Sequence, residues 1–153
     1  MKGRLAAVLA AAGCAALVFA TVALAATIRG TQGNDSGASA LNGTDGPDKI
    51  IAKGGTDTVN ADAGNDRVNA GKGDDIVNAG EGNDSLGGKA GVDELNGENG
   101  DDFLAGGRGG PDELAGGPGN DWIKGRGDGN ASDTIDCGDD TDTVKADKND
   151  VFV

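Results

Sequence analysis

The hydrophobic residues of this chain fall into two zones with different patterns. From Leu5 to Ala26 nearly every position is apolar, and Gly13 and Thr21 are the exceptions. Beyond this run, single aliphatic residues stand two positions after an aspartate and recur every nine residues, in a background of Gly, Asn and Asp. A helix requires apolar residues every three or four positions, so this spacing argues against helices and predicts very short strands separated by turns.

The first zone has the features of an export signal. Lys2 and Arg4 form a positively charged start, the apolar run follows, and Ala23-Leu24-Ala25 fits the small-x-small rule for cleavage. We therefore predict a signal peptide over residues 1–25 and a secreted protein. Two alternatives remain open. The run could be an uncleaved membrane anchor, since about 20 apolar residues can span a bilayer, or a lipoprotein signal ending at Cys14.

The second zone is a nine-residue repeat with three fixed positions. Its sixth position is aspartate, a glycine stands two residues earlier, and Val, Leu or Ile stands two residues later. With one single-residue insertion, the aspartates in register are Asp48, Asp57, Asp66, Asp75, Asp84, Asp93, Asp102, Asp112 and Asp121. Asp133 and Asp142 continue the series after a longer insertion but lack the preceding glycine. A disordered acidic linker would explain the composition but not this fixed register of three residue types.

The repeat unit combines turn residues with a strand too short to be stable by itself. Its first six residues favour turns, because glycine adopts positive φ without strain and Asn or Asp bonds to nearby amides. Its last three residues place one aliphatic side chain inward between two outward neighbours. One inward residue per repeat is buried only when repeats stack, so the pattern predicts an all-β parallel solenoid.

Composition narrows the function. The 153 residues include 30 Gly, 26 Asp and Glu, 13 Lys and Arg, and no His. Without His there is no Ser-His-Asp or Cys-His machinery and no histidine-bound zinc or haem, so we predict that the protein is not an enzyme. Composition does not exclude a site built from carboxylates alone. Without residues 1–25, 11 Lys and Arg stand against 26 Asp and Glu, and this net charge of −15 repels nucleic acid and anionic membranes and attracts cations.

The aspartates and turn carbonyls together form a set of oxygen donors suited to calcium. Calcium takes about six to eight oxygen ligands. Stacked strands would bring the aspartates about 4.8 Å apart, where their carboxylates repel each other unless a cation lies between them. An EF-hand is excluded, because the chain lacks the D-x-[DN]-x-[DN]-G loop.

The nine-residue unit closely resembles the RTX, or haemolysin-type, calcium-binding nonapeptide repeat over roughly residues 43–145. The resemblance implies a right-handed parallel β-roll in which two repeats form one coil, here about five coils, with several calcium ions in the turns. It implies ligands from backbone carbonyls of the turns and from the carboxylates of Asp48, Asp57, Asp66, Asp75, Asp84, Asp93, Asp102, Asp112 and Asp121. Alanine replaces the family's first glycine at Ala52, Ala61, Ala70 and Ala79, a change that a carbonyl ligand tolerates if the backbone angle is kept.

These inferences divide the chain into four segments. They are the signal peptide (1–25), a linker with a degenerate first turn (26–42), the calcium-binding roll (43–127), and irregular last repeats with a C-terminal cap that ends in a strand (128–153). We predict a secreted calcium-binding protein, free or attached to the cell surface, that folds on binding calcium and has a structural or binding role. No membrane span is expected in the mature chain, and an extracellular protein or glycan partner stays unidentified.

Some outward residues suggest further roles. Alternate repeats share one side of the roll, so Asn60, Asn78 and Asn96 should form one outward file, as an amide ladder or as solvated polar groups. Phe103 and Trp122 should both point outward on one sheet. They either pack on each other or form a patch for a partner. In the second case the protein is an adhesion or partner-recognition module in which calcium is purely structural.

Overall fold

The protein is a parallel β-solenoid in the computed structural model, which describes residues 25–36, 39–125 and 131–153. Strands of this part of the chain alternate between two seven-stranded sheets. Sheet A contains β1 (Thr27–Arg29), β3 (Lys49–Gly54), β5 (Arg67–Lys72), β7 (Ser85–Gly91), β9 (Phe103–Gly109), β11 (Trp122–Lys124) and β13 (Thr143–Lys145). Sheet B contains β2 (Leu41–Thr44), β4 (Thr58–Asp62), β6 (Ile76–Glu81), β8 (Glu94–Asn99), β10 (Glu113–Pro118), β12 (Thr134–Asp139) and β14 (Val151–Phe152). Apart from residue 25, the predicted signal peptide lies outside the described residues.

Each coil consists of two nine-residue repeats, as the family resemblance implies. Every strand pairs in parallel with the strand two places further along the chain, and the register places each repeat aliphatic on its counterpart. In sheet A, for example, Ile50 pairs with Val68, and Val68 pairs with Leu86. The spacing of the repeat therefore sets the register, because a shift by one residue would turn every aliphatic side chain outward.

The inward aliphatic side chains form the core between the two sheets. Ten repeat aliphatics are at most 3% exposed: Ile50, Val59, Val68, Val77, Leu86, Leu95, Leu104, Leu114, Ile123 and Ile135. Ala52, Ala61, Ala70 and Ala79 are also fully buried and pack in the same cluster. No single coil could bury its own two aliphatics, so the core exists only through stacking.

The predicted number of about five coils is too low. Each sheet has seven strands, so the solenoid has about seven turns. The additional strands come from segments without the full repeat, such as β1 and β2 at the N-terminal end and β14 at the C-terminal end. A strand can pair at the end of a sheet if its backbone is extended and has free N–H and C=O groups. The Gly-Asp-aliphatic pattern does not indicate which segments have such a backbone.

The turns require glycine where successive coils stack most closely. Gly82, at the fourth repeat position, has a φ of 131°, which side chains other than glycine rarely adopt. A Cβ at Gly82 would also collide with the carbonyl of Gly64, one coil earlier. The recurrent glycine thus permits both the turn and the close approach of neighbouring coils.

The outward Asn residues form the expected ladder on sheet B. The Asn60 amide nitrogen donates to Asn42 Oδ1 at 2.9 Å, and the Asn78 nitrogen donates to Asn60 Oδ1 at 3.1 Å. The Asn96 nitrogen continues the row to Asn78 at 3.0 Å. The ladder interpretation is therefore confirmed, and the row reaches Asn42, one position before the predicted file.

The two outward aromatic residues pack on each other on sheet A. Phe103 and Trp122 meet edge to face, with ring centroids 5.5 Å apart and an interplanar angle of 88°. Lys145 Nζ lies 4.8 Å from the centroid of the Trp122 ring. These contacts confirm the mutual-packing alternative, although Trp122 remains 44% exposed.

We expect Val77→Ala to destabilise the calcium-loaded roll by about 2 kcal/mol, because the substitution leaves a cavity in the file of stacked aliphatics. The same substitution at Val92 is a matched control, since Val77 is fully buried and Val92 is 46% exposed. Val92→Ala should change the free energy of unfolding by less than about 0.5 kcal/mol. Urea unfolding in calcium, followed by circular dichroism, measures both, and equal losses would contradict this account of the core.

Candidate metal sites along two aspartate ladders

The repeat aspartates line the two edges of the solenoid in two ladders. Ladder 1 contains Asp48, Asp66, Asp84, Asp102, Asp121 and Asp142. Ladder 2 contains Asp35, Asp57, Asp75, Asp93, Asp112, Asp133 and Asp150. All nine aspartates predicted as ligands belong to these ladders, five to ladder 1 and four to ladder 2. The structure therefore brings each of them next to equivalent aspartates of neighbouring coils.

One hydrogen bond recurs at every step of both ladders. The backbone N–H of each aspartate donates to Oδ1 of the aspartate one coil later. The distance is 2.7 Å from Asp84 to Asp102 and 2.8 Å from Asp57 to Asp75. This bond joins successive coils and leaves the second carboxylate oxygen, Oδ2, to be satisfied by something else.

Oδ2 is buried without a hydrogen-bond partner at seven ladder positions. They are Asp57, Asp66, Asp75, Asp84, Asp93, Asp102 and Asp121. A buried polar atom left unsatisfied costs about 1–3 kcal/mol, and more when the group is charged. Each ladder consequently requires a cation or a proton at the level of these oxygens.

Burial makes several ladder carboxylates hard to ionise in the absence of metal. Loss of solvation raises the pKa of Asp66 and Asp75 to about 6, against the ordinary 3.8. Burial raises the pKa of Asp93 and Asp102 further, to about 7. The recurrent backbone hydrogen bond acts in the opposite direction, and repulsion from the next aspartates of the ladder adds to the rise.

A backbone carbonyl from the next coil faces the same space as Oδ2. A Cβ added at Gly88, the first position of its repeat, would collide with Asp93 Oδ2 and would lie 2.6 Å from the Gly106 carbonyl oxygen. At Gly97, the corresponding atoms are Asp102 Oδ2 and the Gly116 carbonyl oxygen. A carboxylate oxygen and a carbonyl oxygen therefore converge on a small space that the missing side chain leaves open.

Alanine at the first repeat position keeps this carbonyl in place. The point where a Cβ of Gly30 would lie is 2.5 Å from the Ala52 carbonyl oxygen and 2.6 Å from Asp35 Oδ2. The Ala52 carbonyl thus stands where glycine carbonyls stand in later coils. This geometry agrees with the expectation that a carbonyl ligand tolerates alanine at this position.

Side chains alone do not complete a metal site. Within the described ranges, no group of three or more His, Cys, Asp or Glu side chains is placed to hold one ion. Any ion in a ladder would therefore combine carboxylate oxygens of one edge with turn carbonyls. Oxygen-only sets of this kind suit a hard cation such as calcium.

The N-terminal member of each ladder is satisfied by a threonine. Asp48 Oδ2 accepts hydrogen bonds from the Thr44 N–H at 2.7 Å and from the Thr44 hydroxyl at 3.0 Å. Asp35 Oδ2 accepts from the Thr31 N–H at 2.7 Å. Asp48, although predicted as a ligand, thus has an Oδ2 whose hydrogen bonds are already supplied by the protein.

Four ladder members were not among the nine predicted ligands: Asp35, Asp133, Asp142 and Asp150. Asp133 and Asp142 keep the aspartate spacing, and this signal could have placed them in the ladders. Asp150 has no such signal, because it breaks the spacing and lacks a preceding glycine. The one sequence feature that could have indicated Asp150 is the apolar pair directly after it, which forms β14 (Val151–Phe152).

Comparison with known proteins identifies the repeat. A family model described as the RTX calcium-binding nonapeptide repeat matches residues 29–68, 51–86, 79–111 and 107–144. Together these four matches span residues 29–144. No match is found among curated proteins or among solved structures.

Without metal, the roll is expected to lose stability as the pH rises from about 4, the pKa of an unfolded aspartate, to about 7. The raised pKa values mean that the folded state holds protons that the unfolded chain releases. The resulting stabilisation is present at low pH and is lost as the pH passes through about 6 to 7, the values of the buried aspartates. Circular dichroism and urea unfolding in a chelator, at several pH values, measure this loss.

The calcium-loaded protein is the control for this pH dependence. Bound calcium should remove the loss of stability between about pH 4 and pH 7, because protons compete with calcium for the carboxylates and calcium therefore binds more tightly as the pH rises. A metal-free roll whose stability is unchanged or increases over this range would show that the buried carboxylates are already satisfied.

Proposed function

The chain belongs to the RTX calcium-binding nonapeptide repeat family, and from this premise we propose that calcium ions hold its two aspartate ladders together. Repeats of this family bind several calcium ions in a β-roll. The observation that carries the proposal for this chain is the row of buried Oδ2 atoms without hydrogen-bond partners. A divalent cation between successive coils would neutralise two such carboxylates at once.

The proposed carboxylate ligands are the nine repeat aspartates. They are Asp48, Asp57, Asp66, Asp75, Asp84, Asp93, Asp102, Asp112 and Asp121. Turn carbonyls, such as those of Gly106 and Gly116, would supply further oxygens, since they face the same space as the carboxylates. Asp48 is expected to contribute least, because Thr44 already donates to its Oδ2.

The donor set favours calcium over other common metals. Zinc prefers His and Cys ligands, and the chain has no His and only two Cys. Magnesium requires a compact octahedral shell and gives up its waters reluctantly. Calcium accepts a variable number of oxygens at longer distances, which suits ligands contributed by the backbones of successive coils.

We further propose that the protein is largely unfolded without calcium at neutral pH and folds when calcium binds. At about 1 mM calcium, a site with a Kd near 10⁻⁴ M would add about 1.4 kcal/mol of stability. Several sites would together match the stability of a whole domain. Folding would then depend on an environment rich in calcium, which is typical of the cell exterior.

The proposed setting is extracellular, with a structural or binding role and no catalysis. The predicted signal peptide at residues 1–25 supports secretion, and a β-roll of this repeat is a structural, calcium-binding fold. The described ranges contain no helix with the length and the apolar character needed to cross a membrane. Attachment to a cell surface is compatible with this role.

A second candidate function is recognition of a partner through the aromatic pair on sheet A. The partial exposure of Trp122 favours it, although the ring also packs against Phe103 and Lys145. Replacing both aromatic residues by leucine would separate the two roles. Loss of capture from extracellular extracts with unchanged calcium-dependent folding would support recognition, whereas unchanged capture would contradict it.

Calcium titration of the metal-free protein tests the main proposal. Far-ultraviolet circular dichroism should gain β-structure cooperatively as calcium reaches about 0.1–1 mM, the affinity range of extracellular modules. Magnesium at the same concentrations should give little change, because it does not fit a loose all-oxygen site. A spectrum that is insensitive to calcium, or that responds equally to magnesium, would contradict the proposal.

Two neighbouring aspartates provide a matched pair for the ligand assignment. Asp102→Asn replaces a buried ladder carboxylate, whereas Asp101→Asn makes the same change at an exposed position. Asp102→Asn should lower stability at about 1 mM calcium by about 1.4–3 kcal/mol, since one carboxylate serves one or two ions. Asp101→Asn should leave the calcium midpoint nearly unchanged. Equal effects of the two substitutions would show that only overall charge matters.

A further inference from the structure

Charged residues are sorted by sign between the two sheets. Strands of sheet A contain nine basic residues and no acidic residue: Arg29, Lys49, Lys53, Arg67, Lys72, Lys89, Arg108, Lys124 and Lys145. Strands of sheet B contain seven acidic residues and no basic residue: Asp62, Glu81, Glu94, Glu98, Glu113, Asp136 and Asp139. In the described part of the chain, Lys148 is the one basic residue that lies outside these strands. The solenoid therefore has a basic face and an acidic face.

Both sets of charges point to solvent. All nine basic side chains are exposed, and so are six of the seven acidic ones, Glu94 being half-buried. Lys49 and Arg67 are register partners in one outward row of sheet A. Glu94 and Glu113 are register partners in an outward row of sheet B. Each of these two rows contains one like-charged pair, since Arg67 is followed by Ser85 in sheet A and Glu113 by Thr134 in sheet B.

This sorting has an electrostatic cost within each sheet. Like charges placed directly opposite each other on neighbouring strands destabilise a sheet. Mixing Lys and Glu along each row would remove the repulsion between Lys49 and Arg67 and between Glu94 and Glu113, without changing the core or the ladders. A surface of opposite charge laid against each face would remove it too.

Calcium would also remove the repulsion between whole molecules. The two ladders contain 13 aspartates, which is half of the 26 acidic residues of the chain. The other 13 acidic residues equal the 13 Lys and Arg in number. Two of these basic residues, Lys2 and Arg4, belong to the predicted signal peptide, so the chain without residues 1–25 has a net charge of −15. One calcium ion for every two ladder carboxylates would bring this charge to about −2, close to the neutrality at which association is favoured.

We propose that calcium-loaded copies of this chain associate with sheet A of one copy laid against sheet B of the next. The inference rests on the proposed function, because the neutralised ladders require bound calcium. The area of each face follows from seven strands spaced about 4.8 Å apart and from a strand length of about five residues at about 3.3 Å each. It amounts to roughly 600 Å² on each partner. The total of about 1,200 Å² is at the lower limit for a specific interface, so the association is expected to be reversible.

The contact is heterologous, because two different surfaces of the same molecule meet. Each pair of copies leaves one free basic face and one free acidic face, so association continues into short stacks. An acidic polysaccharide is the other kind of occupant that sheet A would suit. It would leave the matching acidic face of sheet B without a role, whereas a second copy uses both faces.

Three variants test the proposal by sedimentation velocity in calcium at low ionic strength. The first removes basic charge from sheet A (Lys49→Gln, Arg67→Gln and Lys124→Gln). The second removes acidic charge from sheet B (Glu94→Gln, Glu113→Gln and Asp136→Asn). The third is a control that matches the charge change of the second variant at exposed turn positions (Asp45→Asn, Asp74→Asn and Asp101→Asn). All six sheet side chains point away from the core, so each variant should keep its calcium-dependent circular dichroism.

The expected pattern is specific to contact between opposite faces. The wild-type protein and the turn variant should form dimers and larger species that dissociate in about 0.5 M salt, where screening acts within about 4 Å. Each sheet variant alone should be monomeric. An equimolar mixture of the two sheet variants should form one-to-one dimers and nothing larger, because each retains the face that the other lacks.

Several outcomes would overturn the inference. It fails if the folded, calcium-loaded wild-type protein stays monomeric, or if a sheet variant associates as the wild type does. It also fails if a polyuronate binds the wild type and the sheet B variant but not the sheet A variant, while no self-association occurs. In these cases calcium still induces the β-roll spectrum, so the proposed function survives. If calcium induces no folding, the proposed function and the inference fall together.

Discussion

The structure depends on how each ladder aspartate uses its two carboxylate oxygens. Oδ1 accepts the N–H of the aspartate one coil earlier, as Asp102 does from Asp84, and this bond holds the coils in register. The same bond fixes the carboxylate at the buried edge of the solenoid, where Oδ2 has no protein partner over most of the ladder. The interaction that aligns the coils therefore creates the charge that must be neutralised, and stability is tied to whatever neutralises it.

The buried carboxylates are neutralised or hydrogen-bonded in different ways along the solenoid. At the N-terminal end, Thr31 and Thr44 donate to Asp35 and Asp48, so the first coil needs the least outside help. Farther along, burial raises the pKa values of ladder carboxylates to about 7. Protons therefore satisfy the ladders at acidic pH, and a cation is required at higher pH. The fold is consequently conditional on its solvent, and either protons or a bound cation can meet the condition without any change in the chain.

Sequence reasoning predicted the interior well and the ends poorly. The repeat fixes the inward aliphatics, the alternation of sheets and the Asn file, because each depends on a side chain that the spacing places. The number of coils was underestimated because β1 and β14 join their sheets through backbone hydrogen bonds, which leave no mark in the side-chain pattern. Asp150 was not predicted because it breaks the nine-residue spacing and lacks the preceding glycine. The repeat pattern also did not predict the hydrogen bonds from Thr44 to Asp48, because they depend on the backbone conformation of one particular turn.

Two periods coexist in the chain, and they constrain different things. The nine-residue period governs the inward aliphatics, the turn glycines and the ladder aspartates, and it treats both sheets alike. Charge follows a period of two repeats, since basic residues recur on the strands of sheet A and acidic residues on those of sheet B. Folding requires only the first period. The second period lies on solvent-exposed positions and places like charges next to each other within each sheet. It is therefore explained by what binds to the two faces and not by the packing of the core.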